Sequence, residues 1–295
     1  MSGIQRFLSG KQISRSQVDT YFEAVGGNST VLAGGYKIHI YTSTSSDTFS
    51  VGYGQKDCEI LVVAGGGGGG WDVGAGGGAG GLCYSANYTL NFGAYSTVVG
   101  AGGVGASGSS PGPYNAVSGS NSNFGSILAY GGGKGAGWSS RVGENGGSGG
   151  GGPSNTAWQY TSTQNSGTGY TGFGNSGGAG GNNTANSNGY AGCGGGGGAG
   201  GAGGPGNSGA FGANSVTYAY GGAGRQYATT GTNTWYAFGG PGCSDSNINY
   251  GAAATGGPSI EQSSGANTGG GGGGGGGSNT GGNGGSGIIV VRYLL

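Results

Sequence analysis

The chain has 295 residues, of which 88 are glycine, and nine positive charges balance nine negative ones. A neutral balance excludes the basic footprint of a nucleic-acid or anionic-membrane binder. Six prolines and no strict three-residue glycine frame exclude collagen, and 18 Tyr, 8 Phe and 4 Trp argue against a disordered chain.

The N-terminus lacks the apolar h-region of a secretory signal peptide. Eleven of the 18 charges lie in residues 1–72 and six in 73–287. The division is therefore an attachment segment (1–33), a strand domain (34–64), a glycine-rich body (65–287) and a closing strand (288–295). Within the first segment, Ser16 can cap a helix over 16–25. Val18, Tyr21, Phe22 and Val25 then share one apolar face. Ten residues hold no helix alone in water, so this face must dock on its own sheet, a symmetry mate or a carrier protein.

Residues 36–42 and 49–53 alternate with the period of half-buried strands, with Lys37, His39 and Tyr41 on the outer face of the first. The stretch 43–48 reads as a hairpin between them. EILVVA at 59–64 and IIVVRYLL at 288–295 are apolar on both faces, as central strands of one sheet would be.

Dense glycine tracts recur at 65–70, 74–81, 131–137, 146–152, 177–181, 192–204, 221–224 and 269–277. Polar, aromatic excursions separate them. A polyglycine run loses about 1 kcal/mol per residue relative to Ala in an α-helix and offers a sheet no side chains to pack. The ordered form expected is the extended left-handed helix, whose backbone groups point outward and must find partners in neighbouring helices. The fold expected is mainly β and irregular. A small N-terminal antiparallel β domain is followed by a packed bundle of polyglycine-type left-handed helices with end loops, closed by a C-terminal strand.

Little in the sequence carries chemistry. Lys134 in GGGKGAG lacks the Ser or Thr of a phosphate loop, and the GxGxxG matches lack a βαβ setting. His39 stands without a nucleophile motif, as an exposed strand residue. Asp72, Glu144, Asp245 and Glu261 are too scattered to pair as glycosidase carboxylates. Cys58, Cys83, Cys193 and Cys243 read as buried thiols, with a Cys193 to Cys243 bridge left open. No enzyme, metal or cofactor is expected.

The excursions hold the better signal. Residues 153–176 carry Trp158, Tyr160, Tyr170 and Phe173; residues 225–238 carry Tyr227, Trp235 and Tyr236; Tyr190 lies between them. Rigid rings among small polar residues suit a recognition surface. The competing role for each ring is a plug that covers the ends of the glycine body.

In order, GGYKIHIYTSTSSDTFSV, EILVVAGGGGGG, GAGGGAGGL, VVGAGG and GGSGIIVVRY span residues 34–293. This series resembles the glycine-rich domain common in tailed-bacteriophage proteins and the polyglycine-helix adhesins at the tips of T4-like tail fibres. The resemblance implies a virion-surface protein, made in the host cytoplasm, whose end loops bind a host surface protein or glycan. It implies other virion proteins as partners, whether fibre shaft, baseplate or capsid, and allows a homotrimer. Neither nucleic acid nor membrane insertion is implied. A purely structural virion component is the alternative. An ice-binding protein is a third class, against which the irregular excursions count.

Overall fold

The computed structural model describes residues 21–108, 115–138, 141–154, 156–181, 192–206, 219–243, 253–254, 256–259, 261–277 and 279–295, and the backbone alone at 7–8 and 11–12. The strands are β1 (Phe7–Leu8), β2 (Lys11–Gln12), β3 (Glu23–Val25), β4 (Ser29–Ala33), β5 (Tyr36–Tyr41), β6 (Ser46–Tyr53), β7 (Lys56–Val63), β8 (Leu82–Leu90), β9 (Gly93–Val98), β10 (Ser122–Phe124), β11 (Ile127–Ala129), β12 (Thr171–Phe173), β13 (Arg225–Tyr227), β14 (Thr234–Tyr236) and β15 (Ile288–Leu294). One sheet runs β11-β10-β9-β6-β3 and a second β12-β8-β7-β15-β5-β4; β1-β2 and β13-β14 are two-stranded. Every pairing between these strands is antiparallel.

The two large sheets pack face to face. Tyr41, Ile60, Val62, Ile289 and Val291 of the six-stranded sheet meet Phe49, Val51, Phe124 and Ile127 of the five-stranded one. The outer face of the six-stranded sheet is covered as well. Ile38, Leu61, Val63, Leu82 and Val290 lie beneath Ala79, Ala199, Tyr236 and Ala237. Two buried faces explain why EILVVA and IIVVRYLL show no alternation. The strand β15 lies between β7 and β5, with Val290 opposite Leu61 on one side and Ile40 on the other.

Three readings are corrected here. Residues 23–25 are strand, not helix. Phe22 packs edge-on against Tyr293 at 4.9 Å and Tyr21 against Tyr53 at 5.9 Å, while Val25 is 60 % exposed. Val18 and Ser16 lie outside the described residues. The connection after β5 is no hairpin, because β5 and β6 belong to different sheets. Asn28 holds that crossing, its Oδ1 accepting from the Thr42 and Ser43 amides at 2.7 and 2.9 Å. Third, His39 is buried, not exposed. It packs edge-on to Phe49 and stacks on Tyr293 between the sheets.

The expected bundle of helices is corrected too. No described residue is helical, and the fold is built on antiparallel sheets whose strands β8 to β14 come from within the body. The tracts between them are extended segments that bond outward. A segment without an internal ladder is ordered by its neighbours rather than by itself. In 65–70 the amides of Gly65 and Gly68 donate to Ser120 and Val117, those of Gly66 and Gly69 to Gly285 and Gly282, and those of Gly67 and Gly70 to Gly78 and Ala75. The carbonyls accept, in the same rotation, from Gly132 and Gly135, from Gly103 and Ala106, and from Gly272 and Gly275. One tract thus bonds six neighbours.

The same rule holds for 74–81 and 192–198, and it arranges thirteen described tracts in three rows. The middle row is 99–108, 65–70, 74–81, 192–198 and 203–206. One outer row is 115–121, 130–137, 147–152 and 174–181. The other is 279–287, 269–277, 237–243 and 219–224. Side chains appear inside only where a gap admits them. Ala75, Ala136, Val73 and Cys193 form one small apolar cluster.

At Gly272 an added Cβ would fall inside the carbonyl of Gly282, whereas at Gly201 the nearest atom is 3.7 Å away. Gly272→Ala should therefore cost about 1–3 kcal/mol or more. Gly201→Ala should leave thermal stability unchanged or slightly raised. Equal effects on Tm would contradict the lattice. A second expectation concerns pH. His39 Nδ1 donates to the Gly26 carbonyl at 2.7 Å, so Nε2 accepts from the Tyr293 hydroxyl at 3.2 Å. Burial pushes this imidazole below its usual 6.5, against the pull of the Gly26 bond. The unfolded chain then takes up the proton first, so stability should fall as pH drops below 6.5. His39→Gln should flatten that slope in urea titrations from pH 7 to pH 4.5.

Candidate functional site

The lattice has two ends. Tract 65–70 leaves β7 and tract 74–81 returns into β8, so one end is the sandwich. The far end carries the crossing at 71–73. The described tract ends at 108 and 115, 137, 152, 181 and 192, 206 and 219, 243, 277 and 279 lie at this same end. The segments 109–114, 182–191, 207–218 and 244–252, which join several of them, lie outside the described residues.

The described far-end surface is built on tight crossings. Asp72 and Val73 both have positive φ, 46° and 49°. A β-branched residue in this region is strained, by about 1–3 kcal/mol. Val73 is held there by burial against Ala75, Ala136 and Cys193, and its carbonyl accepts from the Cys193 thiol. Arg141 (φ 46°) and Glu261 (φ 60°) share the left-handed conformation. Trp138 donates its amide to the Trp71 carbonyl at 3.1 Å, and the Arg141 guanidinium lies 5.2 Å from the centre of the Trp138 ring. Trp138 is 41 % exposed, and Val142 and Trp158, on the segments that follow tracts 130–137 and 147–152, are exposed too. Asn279 joins two crossings: its carbonyl accepts from the Asp72 amide and its side chain donates to Glu261 Oε1 at 2.9 Å.

Below this surface Glu144 takes a hydrogen bond from Ser118 at 2.6 Å and an ion pair from Lys134 at 3.2 Å. The Ser118 bond, with Lys134, holds its carboxyl below the usual 4.5. Burial pushes the Cys58, Cys83 and Cys193 thiols up to about 12. All four cysteines are buried as thiols, so the bridge left open between Cys193 and Cys243 is not formed; the two tracts meet through the Cys193 amide and the Cys243 carbonyl. Among the described residues no three His, Cys, Asp or Glu come together. The far end thus offers ring faces, a guanidinium, carboxylates and amides: contacts suited to holding a surface.

The expected recognition rings are divided between the two ends. Trp158, 61 % exposed, and Tyr160 belong to the segment that runs back along 147–152. Tyr170 packs on the inter-sheet core, and Phe173 lies in β12 under the Arg225 guanidinium at 3.8 Å. Tyr227 lies 4.5 Å from Tyr84, Trp235 is half-buried, and Tyr236 is 1 % exposed. The β13–β14 hairpin is therefore a cover on the outer sheet face. Tyr190 lies outside the described residues. Sequence reading missed Trp71, Val73, Trp138 and Arg141. Counting tracts outward and back from β7 would have found them, because alternate crossings fall at the far end.

The glycine-rich domain model matches residues 41–294. The chain belongs to that family. No curated protein matches it.

Two substitutions separate cover from surface. Tyr236→Ala should cost about 3–5 kcal/mol, as loss of a buried ring does. Trp138→Ala should move stability by less than about 1 kcal/mol, because the ring is 41 % exposed. Thermal melts of both variants check this.

Proposed function

We propose that this member of the glycine-rich domain family is a virion-surface recognition protein of a tailed phage, a receptor-binding adhesin or tail-fibre tip without catalytic activity. The observation that carries the reading is the build of the far end. Strands and hairpins occupy the other end of the lattice, and here the crossings join the positive-φ residues Asp72, Val73 and Arg141 to the exposed Trp138 ring and the Arg141 guanidinium over it. A rigid frame beneath Trp, Tyr, Asn and Ser residues lowers the ordering cost of binding. The ligand class is a host surface protein or glycan. The sequence resemblance to phage fibre-tip adhesins supports the same reading.

Competition for adsorption tests it. Purified chain added to host cells should bind saturably and protect them from the parent virus. Replacing residues 138–142 and 182–191 by glycine-serine segments of equal length should abolish protection while leaving the melt of the sandwich unchanged. Folded wild-type protein that neither binds nor protects would favour the alternative, a structural component of the virion.

A further inference from the structure

Every sheet or lattice edge leaves backbone groups unpaired, and soluble proteins normally blunt them with charge, proline, bulges or brevity. Most edges of this molecule follow the rule. The edge strands β11, β12 and β3 have three residues each, and β3 carries a register shift between Glu23 and Ala24. At one end of the middle row, Pro205 removes a donor and the Tyr220 ring lies on Gly204.

The strand β4 has none of these devices. It is five residues long, reads Ser-Thr-Val-Leu-Ala, and among the described residues pairs only with β5, in an unbroken register from Ser29↔Ile40 to Ala33↔Tyr36. Val31 is 39 % exposed and Leu32 69 %. Val25, on the neighbouring edge strand, is 60 % exposed, and Leu294 and Leu295 add 55 % and 69 % where β15 ends beside Tyr36.

We propose that β4 is the homodimer interface of this protein, pairing antiparallel with β4 of a second copy. The strand is self-complementary about Val31. A two-fold axis there places Val31 opposite Val31 and Thr30 opposite Leu32, so each exposed leucine covers a threonine methyl. No like charges meet, because β4 carries none. The pairing joins two six-stranded sheets into one continuous sheet and satisfies both open edges. It closes as a dimer, since each copy has one such edge among its described residues and an isologous contact is used up when formed.

The test is sedimentation equilibrium of the full chain across a concentration range, with hydrogen exchange read at residues 29–33. The expected result is a monomer–dimer equilibrium in which the Thr30 to Leu32 amides gain protection with concentration. Leu32→Lys places two ammonium groups across the axis and should weaken association by about tenfold or more. Its circular dichroism should match wild type and its Tm should fall by only a few degrees, because the side chain is exposed but stands opposite Lys37 on β5. Val31→Lys is the second variant, with the same expected loss. A chain that stays monomeric at all concentrations, a trimer, or a dimer unmoved by both lysines would overturn the proposal.

Discussion

The structure depends on one constraint: backbone amides and carbonyls of neighbouring tracts can bond only if no Cβ stands between them. At most tract glycines an added Cβ would collide with the carbonyl of an adjacent tract. Glycine is therefore used for its lack of bulk. The cost is conformational entropy, about 1–2 kcal/mol per ordered residue and more for glycine. Each net hydrogen bond returns about 0.5–1.5 kcal/mol. Those magnitudes balance only when nearly every group is bonded, as in 65–70, 74–81 and 192–198, where a tract donates to three neighbours and accepts from three others.

A lattice of that kind has no preferred register of its own, because one glycine resembles the next. The sandwich supplies it. Tract 65–70 starts where β7 ends, tract 74–81 ends where β8 starts, and tract 279–287 runs into β15. The apolar strands are pinned by side chains on both faces, and they hand a fixed register to segments that have no side chains. The cover over the outer sheet face belongs to the same device. Tyr236, Ala237 and Ala199 seal the junction where sheet gives way to lattice. At the opposite end of the same sheet Arg292 is paired with Glu59 at 2.7 Å and lies over Tyr36 at 3.8 Å.

Much of the sandwich was legible in the sequence, and the reasons are local. Alternation marked β5 and β6, and two-faced apolar runs marked β7 and β15. The phase of β5 was misread because alternation cannot say which face is covered. His39 and Tyr41 look outward by polarity, yet they fill the inter-sheet space while Ile38 faces the glycine lattice. The helix over 16–25 failed where it can be seen, because Phe22 and Val25 satisfy a strand edge as readily as a helical face. The site was less legible. Rings at 227, 235 and 236 look the same in sequence whether they cover a sheet or face a ligand. The far end instead depends on the direction of each tract, which only the strands at its base fix. At the two edges of the lattice one pattern could have been read directly. Ala101 and Val104, Ala202 and Pro205, and Tyr220 and Ala223 stand three apart and face outward.

The central claim is that the glycine tracts are as firmly held as the sheets they spring from. Native-state hydrogen exchange resolved by residue tests it most directly. The account predicts that amides of 65–70, 74–81 and 192–198 exchange only through global unfolding, with the protection of Leu61 and Val290. Tract amides that exchange freely while β7 and β15 stay protected would contradict it, leaving the sandwich as the only stable unit.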